Sequence, residues 1–180
     1  MNRWTRLLDT PHRYLMHQNT VHLWCSGTYS WVRWGHNFDV RRSNALGRKV
    51  NTRDLEEAQA IIDELLSVIG TVETDTEFVC YGYSLGGSLA AIAALLLKDA
   101  GYEAVIKVFA PKRSMNDMSD VSINRATAAR GDLVPFLPLW PLYAGWNLVW
   151  YGKLEWPWTA HTKEARAAAR HRRSIEKAVQ

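Results

Sequence analysis

The stretch FVCYGYSLGGSLAAIAALLL, residues 78–97, passes from an apolar run through a glycine-rich turn into an alanine- and leucine-rich segment. Ser84 stands at the pivot, inside GYSLG, which fits the pattern G-x-S-x-G and reads either as a nucleophile's turn or as a structural glycine turn. That pattern has a mechanical meaning when it joins a strand to a helix: the serine is forced onto a sharp, strained turn that lifts its hydroxyl clear of the sheet. The flanking side chains must nearly vanish, and Gly82 and Gly86 do so. The N–H of Leu85 then lies at a helix N-terminus, where it can donate to a developing oxyanion. A serine hydroxyl needs a base to take its proton, and the base needs an orienting partner.

In folds that carry this elbow, the order along the chain is serine, then acid, then histidine. The acids after Ser84 are Asp99, Glu103, Asp117, Asp120, Asp132, Glu155, Glu164 and Glu176. Asp132 is the preferred candidate: it follows an expected strand and precedes LVPFLP, a loop stiffened by Pro135 and Pro138. Asp117 and Asp120 read as solvated turn residues, and Asp99 and Glu103 flank a helix end. Only His161 and His171 follow Asp132. His161 sits in EWPWTAH, the junction before the last helix, whereas His171 lies among arginines and reads as a solvated surface residue. Thr28, after Gly27 in CSGTYS, is open to two readings: a second oxyanion donor or an ordinary strand-ending turn.

These groups need a scaffold. Residues 21–27 read as a short buried strand, and 28–52 show no clear period. Residues 53–69 carry apolar positions at helical spacing, stopped by Gly70. Residues 77–82 and 104–109 read as fully buried strands, with a near-apolar helix over 86–99 between them. A further strand is expected over 121–130, a strand or hairpin over 148–156, and a terminal helix from Thr162. Alternating strands and helices with fully apolar strands predict an α/β fold: a mostly parallel central sheet with flanking helices. The functional groups then collect at the carboxyl ends of the strands, where Ser84 stands. No repeat or long linker interrupts the 180 residues, so one domain over 1–180 is expected, with a core over about 20–161 and a basic helix over 162–180.

Three segments, in order, resemble the class-three lipases of the α/β-hydrolase superfamily. YGYSLGGSLAAIAAL resembles their GHSLGGALA elbow, LWCSGTYSWVRWGHNFDV their RGT strand-loop, and RGDLVPFLP their DIVPRLP segment. The resemblance covers roughly residues 20–161 and implies an α/β-hydrolase-like fold in a minimal version. It implies Ser84 as nucleophile, Asp132 as acid, His161 as base, and Thr28 with the Leu85 N–H as oxyanion donors. It implies a serine esterase or lipase that acts on an ester or lipid and needs no cofactor. Tyr83 replaces the usual His before the serine, and Cys25 and Ser26 depart from the residues usual before the glycine. The chain is shorter than typical members, with little room for a helical lid beyond 29–52.

Composition bounds the rest. No apolar run reaches the length of a membrane span, and no secretory signal is evident, so a cytoplasmic protein with reduced Cys25 and Cys80 is expected. No metal-ligand spacing such as C-x-x-C or H-E-x-x-H appears, and nothing points to a nucleic acid. The net charge of +4 is uneven: residues 161–180 hold six Lys or Arg against two Glu. That segment reads as a solvated helix or as a patch for anionic lipid headgroups. Nine tryptophans suit core packing, an apolar cleft, with LWPLYAGWNLVW lining an acyl pocket, or an interfacial surface. The alternative to catalysis is a binding module on a hydrolase scaffold.

Overall fold

The computed structural model describes residues 4–7, 11–28, 38–70, 72–73, 75–116, 123–136 and 149–179. Trp31, Trp34, His36, Asp117, Asp120 and most of LWPLYAGWNLVW lie outside the described residues.

Seven strands form one sheet: β1 (Thr5–Arg6), β2 (Arg13–His17), β3 (Thr20–Cys25), β6 (Glu77–Tyr83), β7 (Glu103–Phe109), β8 (Ile123–Ala129) and β9 (Val149–Tyr151). They lie side by side in that order. β1, β2 and β3 are antiparallel, and from β3 onward every pairing is parallel. The expected mostly parallel sheet is therefore present, with an antiparallel edge that the sequence reading missed. β4 (Arg42–Ala45) and β5 (Arg48–Asn51) form a separate hairpin in the stretch where no period was legible. Two four-residue strands with mostly polar side chains leave no alternation long enough to read.

Two helices, α1 (Thr52–Ile69) and α2 (Leu85–Asp99), cover one face of the sheet. α1 starts where Asn51 caps it, its side chain accepting from the Asp54 N–H, and Gly70 at positive φ ends it. α2 buries nearly every side chain because it lies between α1 and the sheet. Val21, Leu23, Phe78, Ile106 and Val108 meet Ile61, Leu65, Leu89 and Ile92 in this core. The third helix, α3 (Pro157–Ala178), covers the opposite face, where Ala168 and Ile175 pack with Leu15, Trp24, Tyr81 and Phe109. It starts five residues earlier than expected, with Pro157 in its first turn, where a missing N–H costs nothing. His171 also differs from expectation: its ring packs on Tyr81 and Phe109, at 5.4 and 5.6 Å between centroids. Cys25 and Cys80 are buried free thiols.

Two buried polar groups are held by specific partners. Lys112, fully buried, reaches Asp54 at 3.0 Å, and Ser114 Oγ donates to the same carboxylate oxygen at 2.6 Å. Burial pushes the Asp54 carboxyl up, and the Lys112 charge opposes that. Ser88 Oγ on α2 donates to the Lys112 carbonyl at 2.7 Å, so α1, α2 and the loop after β7 are tied at one point. On the other face, Tyr81 Oη lies 3.1 Å from His22 Nδ1. Burial, with the charges of Lys107 and His17, lowers the His22 pKa from 6.5 to about 4.

Two outcomes are expected. Lys112→Met leaves the Asp54 carboxylate uncompensated and costs about 3–5 kcal/mol, read from urea unfolding. The depressed His22 pKa means that the unfolded chain binds the extra proton between pH 6.5 and 4. Stability from this group is therefore complete above pH 6.5 and lost as pH falls toward 4. Relative to His22→Gln, the wild type should lose about 1–2 kcal/mol across that window, after discounting for the ring's partial exposure.

Candidate active site

Ser84 follows β6 and precedes α2, with φ 58° and ψ −127°. A non-glycine residue in that region stores strain that its surroundings must hold. The surroundings are specific. The Ser84 N–H donates to the Phe109 carbonyl at the end of β7, at 3.0 Å. A side chain on Gly82 would strike the Gly86 carbonyl, and one on Gly86 would strike the Cys25 and Ser26 backbone. The turn is thus closed by contacts that no side chain could share. Ser84 is 4% exposed, and its hydroxyl makes no capping bond to α2. Leu85 opens α2, so its N–H is among the donors that a helix leaves without an intrahelical partner.

The loop after β3 runs against this turn because Cys25 is in register with Gly82. A side chain on Gly27 would come within 2.6 Å of the Tyr83 carbonyl oxygen. The loop is anchored from behind. The Ser26 N–H donates to His12 Nδ1 at 3.2 Å, and Ser26 Oγ donates to the Pro11 carbonyl at 2.7 Å. His12 Nε2 lies 3.3 Å from Glu57 Oε1. Since Nδ1 accepts, Nε2 carries the proton toward the carboxylate. Thr28 emerges from this anchored loop and lines the same cavity as Ser84.

Asp132 is 1% exposed and sits just past β8. Its Oδ1 accepts the Val134 N–H at 2.9 Å, a bond that closes the turn into the 3-10 segment Val134–Phe136. Its Oδ2 lies 2.8 Å from His161 Nδ1. A carboxylate can only accept, so Nδ1 carries a proton, and in the neutral imidazole the lone pair is then on Nε2. His161 stands just beyond the first turn of α3. α3 is aimed there by a dock at Gly131, whose φ of +96° lets the Glu155 backbone approach where a side chain would clash. The Glu155 N–H donates to the Arg130 carbonyl at 3.2 Å.

The structure therefore gathers Ser84, His161 and Thr28 around one cavity of about 210 Å³, with Asp132 hydrogen-bonded behind His161. Tyr83, Trp158, Thr162 and Ala165 complete its lining. Trp158 is one of the tryptophans expected at a cleft, whereas the sequence singles out neither Thr162 nor Ala165 as a cavity residue. Residues 158, 161, 162 and 165 follow i, i+3, i+4, i+7 spacing, one face of a helix. A helix start at Thr162 hides that pattern, and Pro157 was the signal for the earlier start. His12 and Ser26, which fix the Thr28 loop, carry no sequence signal, because they meet only once β2 and β3 pair: one stands just before β2 and the other just after β3. Among the described residues, no cluster of His, Cys, Asp or Glu could hold a metal ion. None of the described residues of 38–52 lines the cavity.

Residues 11–141 match the family described as lipase (class 3). The chain belongs to the class 3 lipase family. No curated protein matches it by sequence. Among solved structures, it resembles the Rhizomucor miehei triacylglyceride lipase at 19% identity and a TM-score of 0.63, covering 82% of this chain and 64% of that one. It resembles the Aspergillus oryzae mono- and diacylglycerol lipase at 21% identity and a TM-score of 0.61, covering 76% and 58%. It resembles the Yarrowia lipolytica lipase in its nonglycosylated form at 19% identity and a TM-score of 0.59, covering 75% and 58%. These likenesses carry the fold, the mostly parallel sheet of the α/β-hydrolases. The chain spans less than two thirds of the length of each of the three.

Proposed function

We propose that this class 3 lipase family member is a serine hydrolase that cleaves carboxylic esters through a covalent acyl-enzyme. The observation that carries the reading is the strained Ser84 facing a cavity shared with His161, whose Nδ1 is held by Asp132. Ser84 Oγ attacks the ester carbonyl while His161 Nε2 takes its proton. Asp132 keeps the imidazole in the required tautomer and stabilises its cation. The Leu85 N–H and Thr28 receive the oxyanion. His161 then protonates the leaving alcohol and activates a water, which releases the acid and frees Ser84. No step calls for a cofactor. The cavity is compact, which favours small esters or one end of a lipid over a bulky substrate. On this reading, the chain works as one domain. On the same reading the setting is reducing and cytoplasmic, where Cys25 and Cys80, buried on the paired strands β3 and β6, stay as thiols.

A lipid surface is the partner that the exposed residues fit. Leu154 and Trp156, just before α3, are 82% and 81% exposed, and Trp158, which lines the cavity, is 63% exposed. Lys163, Arg166, Arg170, Arg173 and Lys177 are all exposed on α3. Their spacing of three and four residues draws one cationic stripe along the helix. An apolar tip and a cationic stripe suit an anionic membrane. Among the described residues, no helix is long and apolar enough to cross a membrane.

With p-nitrophenyl butyrate, Ser84→Ala should abolish turnover with the unfolding midpoint unchanged, and Asp132→Asn should lower kcat by about 10³–10⁴. A folded wild type without esterase activity would instead support the binding-module reading. In vesicle sedimentation, the wild type should bind phosphatidylglycerol far better than phosphatidylcholine. Reversing Arg166, Arg170 and Arg173 to Glu should weaken that binding at least about tenfold at low salt. Equal binding to both lipids would contradict the membrane assignment.

A further inference from the structure

Tyr83 stands directly before Ser84, at the end of β6. Its hydroxyl donates to the main-chain carbonyl of His161 at 2.9 Å. Its ring also lies against the His161 imidazole, with centroids 4.8 Å apart and planes at 29°. We propose that Tyr83 is the positioning residue for His161, fixing the tilt of the imidazole and hence the direction of Nε2 toward Ser84. The inference rests on the serine-hydrolase reading and adds a role that Ser84, Asp132 and His161 do not themselves supply.

The physical need is clear. Asp132 holds one atom of the imidazole, Nδ1, at 2.8 Å. A ring held at one atom can still swing about that bond. A second constraint on the ring face removes the swing, and a third on the main chain fixes where the side chain begins. Tyr83 supplies both, one with its ring and one with its hydroxyl. Burial raises the phenol well above its ordinary pKa, and the Asp132 and Glu164 carboxylates push it further the same way. Tyr83 therefore keeps its proton and remains a donor.

The position in the chain matters as much as the contacts. His161 and Ser84 are 77 residues apart, while Tyr83 is covalently next to Ser84. The base is thus referenced to the strand that carries the nucleophile through a single residue. Small misplacements of reacting groups are costly in rate, so a direct reference of this kind bears on kcat.

The test separates ring from hydroxyl and position from activity. Tyr83→Phe keeps the ring and loses the donor; Tyr83→Leu loses both. With p-nitrophenyl butyrate, Tyr83→Phe should retain kcat within about threefold, whereas Tyr83→Leu should lower kcat at least about tenfold with KM within about twofold. Unfolding midpoints should allow the loss to be read at full folding. Independently of any turnover, proton–carbon NMR of histidine-labelled protein should show the His161 ring proton shifted upfield by the Tyr83 ring, assigned by its loss in His161→Ala. Tyr83→Leu should abolish that shift. An unchanged kcat or an unchanged His161 resonance in Tyr83→Leu overturns the proposal. So does a kcat loss that tracks a lowered unfolding midpoint and is not rescued by Phe. If the resonance moves in Tyr83→Leu but the wild type cleaves no ester, the serine-hydrolase reading fails while the hold of Tyr83 on His161 stands.

Discussion

The backbone of one residue sets the terms for the rest of the molecule. Ser84, at φ 58° and ψ −127°, occupies a conformation that costs a non-glycine residue about 1–3 kcal/mol. The surrounding structure holds it there: the Phe109 carbonyl takes its N–H, and Gly82 and Gly86 let three backbones meet where any side chain would collide. Those backbones belong to β6, α2 and the loop after β3. The central sheet register, with Cys25 beside Gly82 and Tyr83 beside Phe109, brings them to one point. The large core behind α2 is thus also the support for a strained turn. The buried Asp54–Lys112 pair acts at the back of the same turn, holding the loop after β7, where Pro111 packs against Gly87.

The second half of the site is assembled from the other face of the sheet. α3 packs there through Ala168 and Ile175, and its N-terminal end is docked through Glu155 onto Arg130 and Gly131. That dock lies beside Asp132, so the segment that places His161 and the turn that places Asp132 share one anchor. The His12–Ser26 bond does the corresponding work for the Thr28 loop. The Thr28 loop, the Ser84 turn and the segment that carries His161 are each tied down by a main-chain bond or a close approach. Such pre-organisation is what electrostatic stabilisation of a transition state requires.

Much of this was legible because local patterns and global fold agree. The apolar runs at 77–82 and 104–109 read as strands covered on both faces and form β6 and β7, and the glycines around Ser84 mark a close approach. What was not legible has physical reasons. The strands Thr5–Arg6 and Arg13–His17 are the outermost two on one side of the sheet, where few buried positions leave little periodic signal. The hairpin over 42–51 is held by contacts to Ser114, Met115 and Asn116 rather than by a pattern of its own. His171 looked solvated among arginines, yet the helix turns it inward onto Tyr81. The start of α3 was misread by five residues, which hid the helical face that carries His161, and with it the contact between Tyr83 and His161.

The central claim is that Ser84 is an activated nucleophile and not merely a residue in a tight turn. Intact-mass analysis after treatment with a fluorophosphonate probe tests it most directly, with the adduct mapped by peptide fragmentation. The account predicts one adduct per wild-type chain, on Ser84, and none on folded His161→Ala within the same time. A folded wild type that stays unlabelled, or an adduct that forms equally fast without His161, would contradict it.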